Sequence, residues 1–224
     1  MLAFSSLLGN VEGQNIYRIW YDKPASYWEE ALPVGNGRIA AMVFGDPQLE
    51  QIQLNEETVS AGSPYQNYNE EAKTALPEMR RLIFEGKYEE AQNMAATKIL
   101  SQVGNEMPYQ TVGRLNIRYQ DHKKVNNYYR DLDISNAVAV TRYEVDGVEF
   151  TEETFASFTD QLVIRHIKAS KPGTINCELF FNTPMRDPKR SIYGKKGLRL
   201  EGITHGSRYF PGKVHYLSLI HISE

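Results

Sequence analysis

Four carboxylates flank one apolar run near the start of the chain, Glu29 and Glu30 before it and Glu56 and Glu57 after it. Paired carboxylates are the chemistry of glycoside hydrolysis, in which two acids face each other across the sugar. Neighbouring residues of a strand point to opposite faces, so neither Glu29–Glu30 nor Glu56–Glu57 can supply both partners. A cross pair such as Glu30 with Glu56 is open on this pattern. So is a plainer reading, in which these are solvated loop acids and helix caps.

Other chemistries lack their residues. There is no GxSxG nucleophile elbow and no HExxH zinc motif. The five histidines, His122, His166, His205, His215 and His221, are scattered, with none at ligand spacing. His166 lies between apolar neighbours in a strand and reads as a satisfied or surface-facing residue. Cys177 is the single cysteine, which excludes an intramolecular disulfide and a cysteine-pair zinc site. It falls in an alternating strand, as a buried and inert thiol does. Gly35-Asn36-Gly37 precedes a strand rather than a helix, so it is not a phosphate loop. No metal and no cofactor are expected. The basic run 186–196 reads as a solvated loop.

The elements that must position the acids are mostly strands. Gly35-Asn36-Gly37 forms a tight corner, because glycine takes positive φ and asparagine tolerates it. The corner feeds the apolar run from Ile39 to Phe44, a buried strand. Gly45-Asp46-Pro47 breaks that run, and residues 49–54 then alternate with a period of two. The unit at 28–64 thus reads as a hairpin between two polar loops, and loops of this kind carry function. An aromatic strand precedes it at residues 16–21.

The period then changes. Asn69 caps a helix opening at Glu70-Glu71, Pro77 restarts it, and Gly86 ends it. A second helix is predicted over 88–102, with Ala91, Met94, Ala95 and Ile99 as its core stripe and Gly104 at its end. From Gly113 onward the period is two, with strands at 115–119, 128–134, 138–145, 148–158, 162–164 and 175–181. Asp146-Gly147 is the strongest hairpin turn. A last strand pair is read at 198–200 and around Val214. Short strands joined by local turns, with no βαβ rhythm, give an antiparallel β-sandwich.

Composition narrows the partners. The chain has 224 residues, 41% of them hydrophobic, which allows a sizeable core. The net charge is −3 with no basic stripe, which argues against nucleic acid. No segment reaches the ~18 apolar residues of a membrane-spanning helix. The 14 tyrosines suit strands as well as sugar surfaces. At the N-terminus, residues 2–8 with Val11-Glu12-Gly13 read either as the back half of a secretory signal peptide or as a disordered end. At the other end, LSLIHISE at 217–224 resembles the translation of a sequencing adapter, and so a non-native tail.

The motifs together resemble a known family. WYDKPASYWEEALPVGNGRIAAMVFGDPQLEQIQLNEETVSAGSP is similar to the N-terminal domain of glycoside hydrolase family 95, the inverting α-L-fucosidases. The likeness continues through LPEMRRLIFEGKYEEA, YQTVGRLNIRY, YRDLDISNAVAVTRYEVDGVEFTEETFASFTDQLVIRHIKASKPG and FNTP, over residues 16–184. Two departures stand out. Val59-Ser60 replaces the family's Leu-Trp pair, and Arg114 stands where an acid is usual.

The resemblance implies a β-supersandwich with a helical insertion at about 69–102. The layout would be a leader or disordered segment at 1–14, an incomplete sandwich domain at 15–216, and the tail at 217–224. It implies a catalytic acid and base in an α/α barrel that this chain does not reach, so no catalytic residue is assigned. Trp28, Asn36, Asn55 and Glu56 would line the rim of the cleft. The full protein would release terminal α-1,2-linked L-fucose, or the similar L-galactose, from fucosylated glycans outside the cytoplasm, in the periplasm or after secretion. Two alternatives stay open. One is a free-standing carbohydrate-binding sandwich, which needs an exposed aromatic platform. The other is the N-terminal domain of a disaccharide phosphorylase, against which ALPVGNG and QLNEET speak.

Overall fold

The strand periods are realised as antiparallel sheets. A computed structural model describes residues 17–62, 67–101, 108–206 and 211–223. The leader at 1–14 and Gly104 fall outside these residues. The chain divides into two units, one of residues up to 57 with 111–183, the other of 58–110 with 184–224.

Among its described residues the first unit holds ten strands: β1 (Arg18–Tyr21), β2 (Leu32–Gly35), β3 (Ile39–Val43), β4 (Leu49–Glu56), β5 (Gly113–Tyr119), β6 (Asn126–Asp133), β7 (Val138–Val145), β8 (Val148–Ser157), β9 (Leu162–Ala169) and β10 (Cys177–Asn182). They form two five-stranded sheets, ordered β1-β6-β7-β8-β9 and β10-β5-β4-β3-β2. The sheets share one core. Leu32, Val34, Ala41, Val43, Ile52, Ile117 and Tyr119 of the second sheet pack with Leu132 and Ala139 of the first. Burying a side chain such as Ile52 contributes roughly 1.5–3 kcal/mol. The antiparallel sandwich expected from the sequence is therefore observed.

Local turn chemistry sets the registers. Asn36 Oδ1 accepts from the N–H of Arg38 at 3.1 Å and of Ile39 at 2.9 Å, while its own N–H donates to Ile39 O. That Asx turn closes β2 on β3. Asp46 Oδ1 likewise accepts from Gln48 and Leu49 and turns β3 into β4. The segment expected as one hairpin is thus a three-stranded meander. Asn55 and Glu56 lie inside β4, paired with Ala40 and Ile39, rather than in the loop after it. At the β7–β8 turn, Asp146 (φ 49°) and Gly147 (φ 72°) both take the left-handed backbone that a two-residue hairpin demands.

The second unit holds helices α1 (Ala72–Phe84) and α2 (Tyr88–Met94) and a three-stranded sheet. Pro77 sits inside a continuous α1 instead of restarting a helix. Asn69 Oδ1 accepts from Glu71 N, and its amide donates to Thr97 O and Leu100 O, tying the start of α1 to the end of the next helical segment. Gly86 (φ 74°) ends α1 as expected. The second helical segment is shorter than the predicted 88–102. After Met94 it widens into a π-turn over Ala95–Ile99, closed by Leu100 N–H to Ala95 O at 2.8 Å.

The basic run 186–196 is not a loop. Arg186–Ile192 is a strand, β11, paired with β12 (Gly197–Ile203), which also pairs with β13 (His215–His221). Every residue of β11 is exposed, so no apolar period announces it. The ladder to β12 makes it a strand. In β13, Leu217, Ser218 and Leu219 pair with Glu201, Leu200 and Arg199. Among the described residues no helix is long and apolar enough to cross a membrane.

Candidate functional site

The four rim residues do not share one place. Asn36 sits in the β2–β3 turn, and Asn55 and Glu56 lie at the same end of the second sheet. Glu56 Oε1 accepts from Arg38 Nε at 3.1 Å, and Glu57 N donates to Arg38 O. Asn36 is nearly buried, and its amide also donates to Ser157 O at 2.7 Å and Gln161 Oε1 at 3.4 Å. Trp28 begins a single 3-10 turn (Trp28–Glu30) that leads into the opposite end of β2. Arg130 pins that segment: its Nε donates to Lys23 O at 2.8 Å and its Nη1 to Glu30 O at 2.7 Å, with the guanidinium 4.2 Å from the Tyr21 ring centroid.

Two of the acids flanking the hairpin, Glu30 and Glu56, have structural partners. Glu30 Oε2 accepts from Ser26 N at 2.8 Å. That bond, with help from Tyr27, holds the Glu30 carboxyl below the usual carboxylate range. Glu30 therefore caps its own turn as an anion, and Glu56 pairs with Arg38.

The carboxylates that the fold does bring together are two that belong to no sequence motif. Glu50 of β4 and Glu152 of β8 are buried, and Arg165 of β9 bridges them. Glu50 Oε1 accepts from Phe44 N and Gly45 N at 3.1 and 2.9 Å. Its Oε2 accepts from Arg165 Nη2 at 2.7 Å. Glu152 Oε1 accepts from the hydroxyls of Tyr119 and Tyr143, each at 2.6 Å, and its Oε2 from Arg165. Arg165 Nη1 also donates to Thr154 Oγ1 at 2.7 Å.

Burial raises the Tyr119 and Tyr143 hydroxyls well above the ordinary phenol range, so both stay neutral donors. Each carboxylate oxygen of the pair has a donor, and a guanidinium occupies the space where a sugar would have to lie. The cluster joins the two sheets and does not face a substrate. Its signal in the sequence is phase: Glu50 alternates in step with Ile52, Glu152 with Val148 and Phe150, and Arg165 with Val163 and Ile167.

His122 sits beside this cluster's Tyr119 and Tyr143. It is buried and stacks on Tyr119 (4.4 Å, 5° from parallel) and against Phe150, with Nδ1 2.9 Å from Pro47 O. Burial pushes its pKa down. His166, by contrast, is surface-facing beside Glu153, as expected. Cys177 is half-buried, and burial raises its thiol pKa, in keeping with an inert role. Among the described residues no three His, Cys, Asp or Glu side chains are placed to hold a metal ion.

The sandwich thus holds a buried charge network, while Glu30 binds the backbone of its own turn and Glu56 forms an ion pair. The model of a family described as "Glycosyl hydrolase family 65, N-terminal domain" matches residues 19–224. The chain belongs to this family. It is similar to a protein named "Alpha-L-fucosidase 2" from Arabidopsis thaliana, 37% identical over 181 residues, which cover 78% of this chain and 21% of the relative. Proteins named "Probable alpha-fucosidase A" from Aspergillus niger and Aspergillus oryzae are 26% and 25% identical, over 68% and 73% of this chain. The chain spans about a fifth of the length of the curated relatives it matches. The likeness to a fucosidase's N-terminal domain, read first from ALPVGNG and QLNEET, thus holds along most of this family member.

Proposed function

We propose that this chain is the non-catalytic N-terminal domain of a longer α-L-fucosidase of glycoside hydrolase family 95. The observation that carries this reading is the 37% identity to a protein named for that activity, of which the chain covers 21%. The network around Arg165 supports it, since the carboxylates gathered in this unit are spent on holding two sheets together. The longer protein would hydrolyse terminal α-1,2-linked L-fucose, or the similar L-galactose, with inversion, outside the cytoplasm. Its acid and base would lie in the remaining chain, against which this domain braces. Asn36, Asn55 and Glu56, at one end of the second sheet, would form part of the cleft rim, and Trp28 would meet the glycan elsewhere.

The test is fucose release from a 2′-fucosylated oligosaccharide. The purified chain should release none, and the full-length protein should release L-fucose whose first-formed anomer is the inverted one by NMR. Turnover by this chain alone would overturn the division of labour. A retained anomer would overturn the mechanism.

A further inference from the structure

β1 is the edge of its sheet, and Trp20 stands on it 61% exposed. Trp20 pairs with Asp131, which makes Tyr129 its diagonal neighbour on the outer face. The two rings lie 6.2 Å apart and 20° from parallel. No described strand of the sheet lies beyond β1, and at 61% exposure much of the Trp20 indole is left to solvent.

The surroundings of this ring are polar and already ordered. Arg18, two residues earlier on the same face, donates to Asp131 Oδ1 and Oδ2 at 3.2 and 3.3 Å and to Asp133 Oδ2 at 3.4 Å. Arg142 Nη1 is 3.5 Å from Asp131 Oδ2, and Asp131 is fully buried beneath the two arginines. Asp133 is held further by Ser135 N, Asn136 N and the Asn136 amide. An open aromatic face beside donors and acceptors that need no further ordering suits a ligand with one apolar face and a hydroxyl-bearing rim. A neutral pyranose has that shape and chemistry.

We propose that Trp20, backed by Tyr129 and bordered by Arg18 and Asp133, binds a pyranose unit of a glycan. Only the class of ligand rests on the glycosidase reading. The indole takes the C–H face of the sugar, and the Arg18 guanidinium donates to its hydroxyls.

The chain has two tryptophans, so Trp28→Phe leaves Trp20 as the sole emission reporter. Titrating that variant with a 2′-fucosylated oligosaccharide should give a saturable change in emission, with a Kd on the order of 1 mM. Tyr129→Ala should weaken it about tenfold. Trp20→Ala added to Trp28→Phe should show no binding by calorimetry, with an unchanged far-UV circular dichroism spectrum.

A flat titration of the Trp28→Phe variant overturns the proposal, and is the outcome expected if this face docks protein instead. Binding that survives Trp20→Ala in the Trp28→Phe variant also overturns it. The assay reads binding and not hydrolysis. A negative result here leaves the fucosidase reading standing, and an inactive full-length protein leaves this site standing.

Discussion

Replacing Arg165 with methionine tests whether buried charge locks the two sheets. The change keeps an unbranched stem and removes the guanidinium. It strands two carboxylates, Glu50 and Glu152, whose side chains are 0% and 1% exposed. Removing one partner of a buried ion pair costs about 3–5 kcal/mol, because the other charge is left in low dielectric. Arg165 serves two acids and the Thr154 hydroxyl, so the top of that range is expected, about 5 kcal/mol. Against a total stability of about 5–15 kcal/mol, such a loss brings the unit close to unfolding.

The assay is urea unfolding followed by tryptophan emission. Trp20 and Trp28 both lie in the unit that holds the network, so the probe reports that unit. A loss below about 1 kcal/mol would refute the lock, since it would mean that water already solvates both acids. Adding Glu50→Gln and Glu152→Gln to Arg165→Met should then recover most of the loss, because no uncompensated charge remains. Failure to recover would assign the cost to packing of the arginine stem instead.

Other perturbations separate local from tertiary causes. Gly45 has φ +75°, and a Cβ there would lie 2.8 Å from Tyr128 Oη and 2.9 Å from Arg130 Cδ. Gly45→Ala should cost at least about 3 kcal/mol in urea unfolding, whereas Gly147→Ala, with φ +72° and open space, should cost only about 1 kcal/mol. Equal costs would contradict this. Asn36→Ala removes the Oδ1 that accepts two turn N–H groups and the donor to Ser157 O, and should cost about 2 kcal/mol by thermal unfolding. Asn36→Asp keeps the acceptors and should lose about half as much; if the two variants lose equally, the donor alone matters.

His122 gives a pH signature. Burial depresses its folded-state pKa, so the unfolded chain binds the proton first as pH falls past about 6.5. Its contribution to stability is therefore complete above that pH and lost as pH falls towards the folded pKa. His122→Phe should flatten the decline in stability between pH 7 and pH 5, measured by urea midpoints. An unchanged slope would show that the imidazole is not shielded.

Most of the sandwich was legible because its causes are local. The two-residue period of Ile175, Cys177, Leu179 and Phe181, the Asp146-Gly147 turn and the Asn36 corner each act through side chains a few residues apart. β11 was not legible. An edge strand with no buried face carries no apolar period, and only its pairing with β12 marks it as a strand. The helix after α1 was overread, since the 3.6-residue stripe continues past the point where Ala95 opens a π-turn.

Of the candidate site, residue types alone did not show which acids the fold brings together. Glu29, Glu30, Glu56 and Glu57 drew notice as neighbours, whereas the acids that meet, Glu50 and Glu152, lie 102 residues apart. Their one sequence trace is a charge in phase with Ile52 and with Phe150, and a charge in phase with a core is ambiguous until its partner is known. The sequence by itself determined most of the strands, their turns and the family. Only the tertiary structure decided which charges are buried, because a buried charge is tolerated only where distant residues converge to satisfy it. Arg165 does that for Glu50 and Glu152, from a strand more than a hundred residues beyond the first of them.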